Sequence, residues 1–135
     1  MANWILKTEP STYSFDRLQA ERTAVWDGVT NPLALKHLRS MKKGDAVMIY
    51  HTGEEKQIVG LAEVASEPYA DPRSKDTRLV VVDLKAKARL PRAVPLSAVR
   101  SEDGMADLAL VRMPRLSVVP ATDAQWAALL KLGGM

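Results

Sequence analysis

The amino-acid sequence predicts an α+β fold: a mixed sheet, partly closed into a barrel, with short helices packed around its rim. Three observations carry that expectation. Four or more strand-like segments occur with short helices between them. Two of the strands, Asp45 to His51 and Gln57 to Ala65, are joined only by Thr52-Gly53-Glu54-Glu55-Lys56, a hairpin connection that makes the pair antiparallel. No glycine-rich phosphate loop follows a strand, so a doubly wound sheet fits poorly. The length, 135 residues, suits one domain over 1–135, large enough to bury a core without disulfide or metal staples.

Taken in order, Trp4-Ile5-Leu6 reads as an opening strand, stopped near Pro10 because the residue before a proline avoids helical geometry. Ser14 is placed to cap a short helix over Phe15 to Glu21, with Leu18 pointing inward. Asn31-Pro32 is a strong helix start, a capping side chain followed by proline at the first helical position. That helix is expected to run to about Met41, before the cations and glycine of Lys42-Lys43-Gly44. After the hairpin, Leu79 to Leu90 alternates cleanly. Leu84, Ala86, Ala88 and Leu90 share one face, and Lys85, Lys87 and Arg89 share the other. Pro95 to Arg100 reads as one helical turn, and Met105 to Val111 is ambiguous. Leu116 to Val119 is the expected last strand. Thr122 with Gln125 forms a capping box for a final helix whose apolar stripe is Trp126, Leu129 and Leu130, ended by Gly133-Gly134.

Composition narrows the function. There is no cysteine, which excludes disulfides, thiolate nucleophiles and thiolate metal sites. Two distant histidines and scattered carboxylates do not supply three or four spaced metal ligands, so no metal or other cofactor is expected. The N-terminal residues lack a basic and then apolar signal pattern, and no apolar run approaches a membrane span of about 20 residues. A soluble, cytoplasmic protein is expected, with no membrane partner. The sequence does not determine the oligomeric state, and a monomer is the expectation. The formal charge of +3, from 19 basic and 16 acidic residues, is mild. The positive charge gathers in Lys36-His37-Arg39-Lys42-Lys43 and in Lys85-Lys87-Arg89-Arg92. Either cluster is a solvated face or a phosphate contact.

Polar groups of interest fall at element ends, where loops display binding groups. Trp26, beside the Asp27-Gly28 turn, either plugs the bottom of the barrel or offers a stacking platform to a planar ligand. Asn31 has an evident role as helix cap. Tyr50-His51-Thr52 places three hydrogen-bonding side chains in sequence, with residues 50 and 52 on one strand face. Lys7-Thr8-Glu9 mixes both charges just after a strand, and Arg115 and Ser117 share a face of an ordinary amphipathic strand. Catalytic readings fare worse. Neither a G-x-S-x-G elbow nor a nucleotide-binding glycine pattern is present. His51 with a nearby hydroxyl is the one arrangement that leaves a nucleoside-directed hydrolase open.

Together these clusters resemble the EVE domain, a PUA-like family related to the YTH and ASCH domains. The resemblance runs from Trp4 to Trp126. It rests on Trp4-x-x-Lys7-Thr8-Glu9-Pro10, Trp26-Asp27-Gly28-Val29-x-Asn31, Met41-Lys42-x-Gly44-Asp45, Tyr50-His51-Thr52, Val59-Gly60, Ala70-Asp71-Pro72 and Arg115-Leu116-Ser117-Val118-x-Pro120. It implies a PUA-like pseudobarrel whose pocket receives a single flipped base, probing DNA or RNA for a modification without chemistry. The implied pocket is Lys7, Thr8, Glu9, Trp26, Asn31, Tyr50, His51, Thr52, Arg115 and Ser117. Phosphate contacts would fall to Lys36, Arg39, Lys42 and Lys43, or to Lys85, Lys87 and Arg89. Two positions depart from the family: Thr52 stands where serine is frequent, and Thr30 where arginine is frequent. The rival reading is a sensor that binds a free nucleoside or another planar metabolite.

Overall fold

A computed structural model describes residues 1–135 as seven strands and five helices. Strand β1 (Asn3–Thr8) lies between β3 (Ala46–His51), to which it is parallel, and the edge strand β7 (Val118–Ala121), to which it is antiparallel. β3 pairs antiparallel with β4 (Gln57–Val64), giving the hairpin the sequence predicts. β4 in turn pairs with β6 (Val80–Pro95), a sixteen-residue strand that also pairs with β2 (Thr23–Trp26) and β5 (Tyr69–Ala70). The hydrogen-bonded order is β2-β6-β4-β3-β1-β7. Its two ends, β2 and β7, do not pair with each other, so the barrel is not closed by a continuous ladder. The mixed α+β architecture is the one expected.

The helices form where local chemistry puts them. α1 (Phe15–Glu21) is capped by the Ser14 hydroxyl, which accepts from the Arg17 amide. α2 (Pro32–Ser40) starts with Asn31 Oδ1 accepting from the Leu33 and Ala34 amides. α5 (Asp123–Leu132) has both halves of the Thr122–Gln125 capping box. α3 (Leu96–Ser101) is the expected helical turn, and the ambiguous segment resolves into a short helix, α4 (Ala109–Arg112).

Four elements differ from the sequence reading. β2 was not expected: Trp26 ends a strand and pairs with Val82, rather than standing on a loop. Four residues are too few to show a period of their own, and partner β6 supplies the ladder that holds them extended. β5 is shorter still. β6 continues past Leu90 to Pro95 because β4 offers pairing as far as Gln57. β7 begins at Val118 rather than Leu116.

Packing ties these elements together. Thirty-one buried residues form one hydrophobic cluster, with Phe15, Leu18, Ile5, Leu6, Met48 and Ile58 fully enclosed. Phe15 packs so closely on β4 that any Cβ at Gly60 would overlap its ring. Buried Asp45 gathers the N-terminal edge: its carboxylate accepts from Trp4 Nε1 at 3.0 Å, the Lys42 amide at 3.0 Å and the Ala2 amide at 3.2 Å. On β6 the alternation holds, with Leu84 and Leu90 buried and Lys85, Lys87 and Arg89 exposed. No helix is long and apolar enough to cross a membrane.

Candidate functional site

A cavity of about 980 Å³ opens between the end of β1, the β1–α1 turn, α1, β2 and the turn leading to α2. Its walls follow from strand pairing. The parallel register sets Lys7 opposite Tyr50 and Thr8 opposite His51, and the Lys7 amide donates to the Ser117 carbonyl at 2.9 Å. Lys7, Thr8, Glu9 and Ser117 thereby reach one cleft, and β2 adds Trp26. Five of the ten base-binding residues implied by the resemblance meet here.

The aromatic wall is a pair. Trp26 and Tyr13 stand edge to face, with centroids 6.1 Å apart at 84°. Trp26 is only 7% exposed and belongs to the core as much as to the cleft. Trp26 therefore fills the plugging role considered from sequence while also lining the cleft. Tyr13 is half-buried, and its hydroxyl donates to Glu21 at 2.5 Å. Burial first, and then that bond, push its pKa well above the usual tyrosine value. Arg17 lies 5.0 Å over the Tyr13 ring and 3.6 Å from Glu21.

Polar groups of both kinds surround this pair. Thr8 Oγ donates to the Tyr13 carbonyl at 2.7 Å, fixing the β1–α1 turn. Glu9 holds the same turn by accepting from the Ser11 amide and hydroxyl, and from Thr52 Oγ at 3.2 Å. On the far wall Asp83 accepts from the exposed Tyr69 hydroxyl at 2.6 Å, a bond that raises Tyr69 to about 12. Across the mouth, Arg73 sits 3.4 Å from Asp27. The cleft is thus lined by three cations, Lys7, Arg17 and Arg73, and four carboxylates, Glu9, Glu21, Asp27 and Asp83.

The remaining expected residues lie elsewhere. Tyr50 and Thr52 line a second cavity of about 510 Å³ beside Arg100 and Pro114, joined to the first through Lys7. There Lys7 Nζ donates to the Pro114 carbonyl at 2.9 Å and stands 5.8 Å over the Tyr50 ring. Burial lowers its pKa. His51, one residue between, points the other way, as strand alternation requires. It is 4% exposed, and its Nε2 accepts from the Phe15 amide at 3.0 Å. That bond puts the ring proton on Nδ1, which donates to Glu55 at 2.9 Å. Nε2 thus holds the start of α1 against β3, and Nδ1 ties β3 to the β3–β4 connection. The lone pair a general base would use is the one bound to Phe15, which is the physical objection to a hydrolase built on His51. Asn31 is occupied as the helix cap, and Arg115 is exposed outside both cavities. No group of three His, Asp or Glu is placed to hold a metal ion.

None of the expected phosphate contacts, Lys36, Arg39, Lys42, Lys43, Lys85, Lys87 and Arg89, lines either cavity. Arg89 is committed to Asp16 and lies 5.5 Å over the Phe15 ring. Sequence reasoning passed over Tyr13, Arg17, Glu21, Arg73 and Asp83. Some signal existed. Arg17 and Glu21 are an i,i+4 pair on an exposed helix face, and Arg73 follows the Asp71-Pro72 turn directly.

The comparisons agree along the whole chain. The family model described as "EVE domain" matches residues 2–132. Thymocyte nuclear protein 1 of Homo sapiens is 27% identical, over 97% of this chain and 73% of that protein. The mouse protein of that name is 29% identical over 96% and 72%. Among solved structures, a Rhodopseudomonas palustris protein shares 41% identity at a TM-score of 0.94, covering 99% of this chain and 94% of its own. Human THYN1 protein, solved in complex with 5-methylcytosine-containing DNA, superposes at a TM-score of 0.92 with 27% identity, over 100% and 99% of the two chains. The YTH domain of a Zygosaccharomyces rouxii protein, solved with N6-methyladenosine RNA, shares the fold at a TM-score of 0.62 and 12% identity, over 98% and 86%. With a family model that matches residues 2–132, nearly the whole chain, this protein belongs to the EVE domain family.

Proposed function

We propose that this protein binds DNA or RNA by taking one unstacked, modified base into the cleft between β1, β2 and α1, without performing chemistry on it. The observation that carries the reading is the cleft itself, in which the Trp26–Tyr13 aromatic pair is ringed by hydroxyls, carboxylates and cations. Apolar ring surface receives the base faces, and a mixed donor–acceptor rim reads the edge. The full-length likeness to a protein solved with 5-methylcytosine-containing DNA supports it. Extruding a base costs a few kcal/mol, less from single strands or damaged sites. The aromatic wall returns about 1–3 kcal/mol of stacking. An added methyl group would be recognised by apolar contact with the same wall.

The test is binding of short single- and double-stranded oligonucleotides carrying plain or modified cytosine and adenine, at two salt concentrations. The reading expects one modified base to be preferred, binding to weaken with salt, and both Trp26→Ala and Tyr13→Ala to lose the preference. Tyr13→Ala opens less of the core than Trp26→Ala, so it separates lost recognition from lost folding. Equal binding across the panel, or folded variants that bind like the parent, would overturn it.

The excess of carboxylates over cations in the cleft favours a second reading, a sensor for a free nucleoside or another uncharged planar metabolite. Such a ligand would bind as tightly free as within an oligonucleotide, with little salt dependence.

A further inference from the structure

The cleft holds more carboxylates than cations, so the flanking phosphates of any bound strand need positive charge from beyond it. Two stretches of the chain are basic and free of acid. Residues 31–44 carry Lys36, Arg39, Lys42 and Lys43, and residues 84–101 carry Lys85, Lys87, Arg89, Arg92 and Arg100. Charge alone does not choose between them. The fold makes them different.

Along β6 part of the charge is answered by neighbouring elements, while Lys87, Arg92 and Arg100 enter no ion pair. Lys85 stands directly across the ladder from Glu63, within cross-strand reach. Arg89 pairs with Asp16 of α1 and covers the Phe15 ring. On α2 and the turn after it, none of the four cations enters an ion pair, and all four are exposed. Leu35 and Leu38 turn α2 inward, and helical spacing puts Lys36 and Arg39 together on the outer face. Arg39 then reaches sideways, its Nη2 donating to the Arg78 carbonyl at 2.7 Å.

That contact joins α2 to the 71–78 loop, whose other end delivers Arg73 to the mouth of the cleft opposite Asp27. A second connection is covalent. Gly28 and Val29 line the cleft, and the helix cap, Asn31, follows two residues later. We infer that a nucleic-acid strand whose base occupies the cleft leaves over the 71–78 loop and lies along the outer face of α2, and not along the β6 stripe. The track runs from Arg73 past Lys36 and Arg39 to Lys43. α2 alone, nine residues long, spans ~13 Å, enough for several phosphates of one strand. The inference rests on the base-capture reading.

The test compares two charge-neutralised proteins, Lys36→Gln/Arg39→Gln/Lys43→Gln and Lys85→Gln/Lys87→Gln. Each is titrated, beside the parent, with a fifteen-nucleotide DNA single strand carrying one 5-methylcytosine, with its unmethylated twin, and with the methylated trinucleotide. Salt is varied from 50 to 200 mM. Three lost contacts lower the slope of log affinity against log salt by about 2, or about 20-fold in affinity over that range. The α2 variant is expected to show this loss on the long strand, while its trinucleotide binding and any methyl preference stay those of the parent. The β6 variant is expected to keep the parental slope. A slope lost in the β6 variant and kept in the α2 variant, or kept in both, overturns the track. The base-capture reading fails separately. If the parent shows no preference for any modified base and Tyr13→Ala binds unchanged, capture is wrong, even where the α2 slope falls.

Discussion

Replacing His51 with alanine separates a structural role from a chemical one. The ring is 4% exposed and bridges β3 to the first residue of α1. Alanine leaves the Phe15 N–H buried without a partner, a loss of about 1–3 kcal/mol. The space vacated by the imidazole adds about 1–2 kcal/mol. The Glu55 end is nearly half exposed and contributes under about 1 kcal/mol. His51→Ala is therefore expected to destabilise the fold by about 3–4 kcal/mol. Urea unfolding followed by tryptophan fluorescence reads this directly. With a denaturant slope of about 2 kcal/mol/M, the midpoint falls by roughly 1.5–2 M. His51→Gln, whose amide oxygen can accept from Phe15, should recover part of the loss. A midpoint within about 0.3 M of the parent would refute the argument. Turnover on a nucleoside panel, abolished in a His51→Ala protein of parental stability, would restore the catalytic reading.

Gly60→Ala drives a methyl group into the Phe15 ring and should cost about 2–3 kcal/mol. Adding Phe15→Leu should recover part of that, measured as a non-additive pair in the same unfolding assay. Asp45→Ala orphans the Trp4 indole N–H and the Lys42 and Ala2 amides. It should destabilise by about 3–5 kcal/mol, with loss of the calorimetric transition at 37 °C as the extreme outcome. All three tyrosines ionise above their ordinary value: Tyr13 and Tyr50 through burial first, and Tyr69 through its bond to Asp83, which raises it to about 12. The folded state holds these protons longer than the unfolded chain. Their contribution to stability is therefore fully present below about pH 10, the ordinary tyrosine value, and is lost as pH rises toward 12 and beyond. Absorbance at 295 nm should show little tyrosinate in the folded protein at pH 10, and about half of it in urea. Breaking the ion pair at the mouth is expected to tighten oligonucleotide binding. Asp27→Asn frees Arg73, by about two- to fivefold for an exposed pair, and the gain should vanish when Arg73→Ala is added.

Much of this protein was legible because it is local. The Ser14, Asn31 and Thr122 caps each act within four residues of themselves, so the starts of α1, α2 and α5 can be read along the chain. The β3–β4 hairpin is set by a five-residue connection, and the β6 stripe by simple alternation. Lys7, Thr8, Glu9, Trp26 and Ser117 stood out as polar or aromatic groups at element ends, and the fold gathers them around one cavity. What sequence could not decide depends on partners distant in the chain. β2 exists because β6 offers it a ladder some sixty residues away. His51 turns toward Phe15 while Tyr50 and Thr52 turn to a second cavity, because the pleat sends neighbours to opposite faces and only the packed sheet says what lies on each. Asp83, Arg73 and Tyr13 join the cleft from three separate elements, and no spacing announces them. The two basic clusters, one read on a helix and one on a strand, are similar in charge as strings. Only the tertiary structure pairs Arg89 of one with Asp16 and ties Arg39 of the other to the loop that reaches the mouth of the cleft, because charge is answered by whatever is adjacent in space.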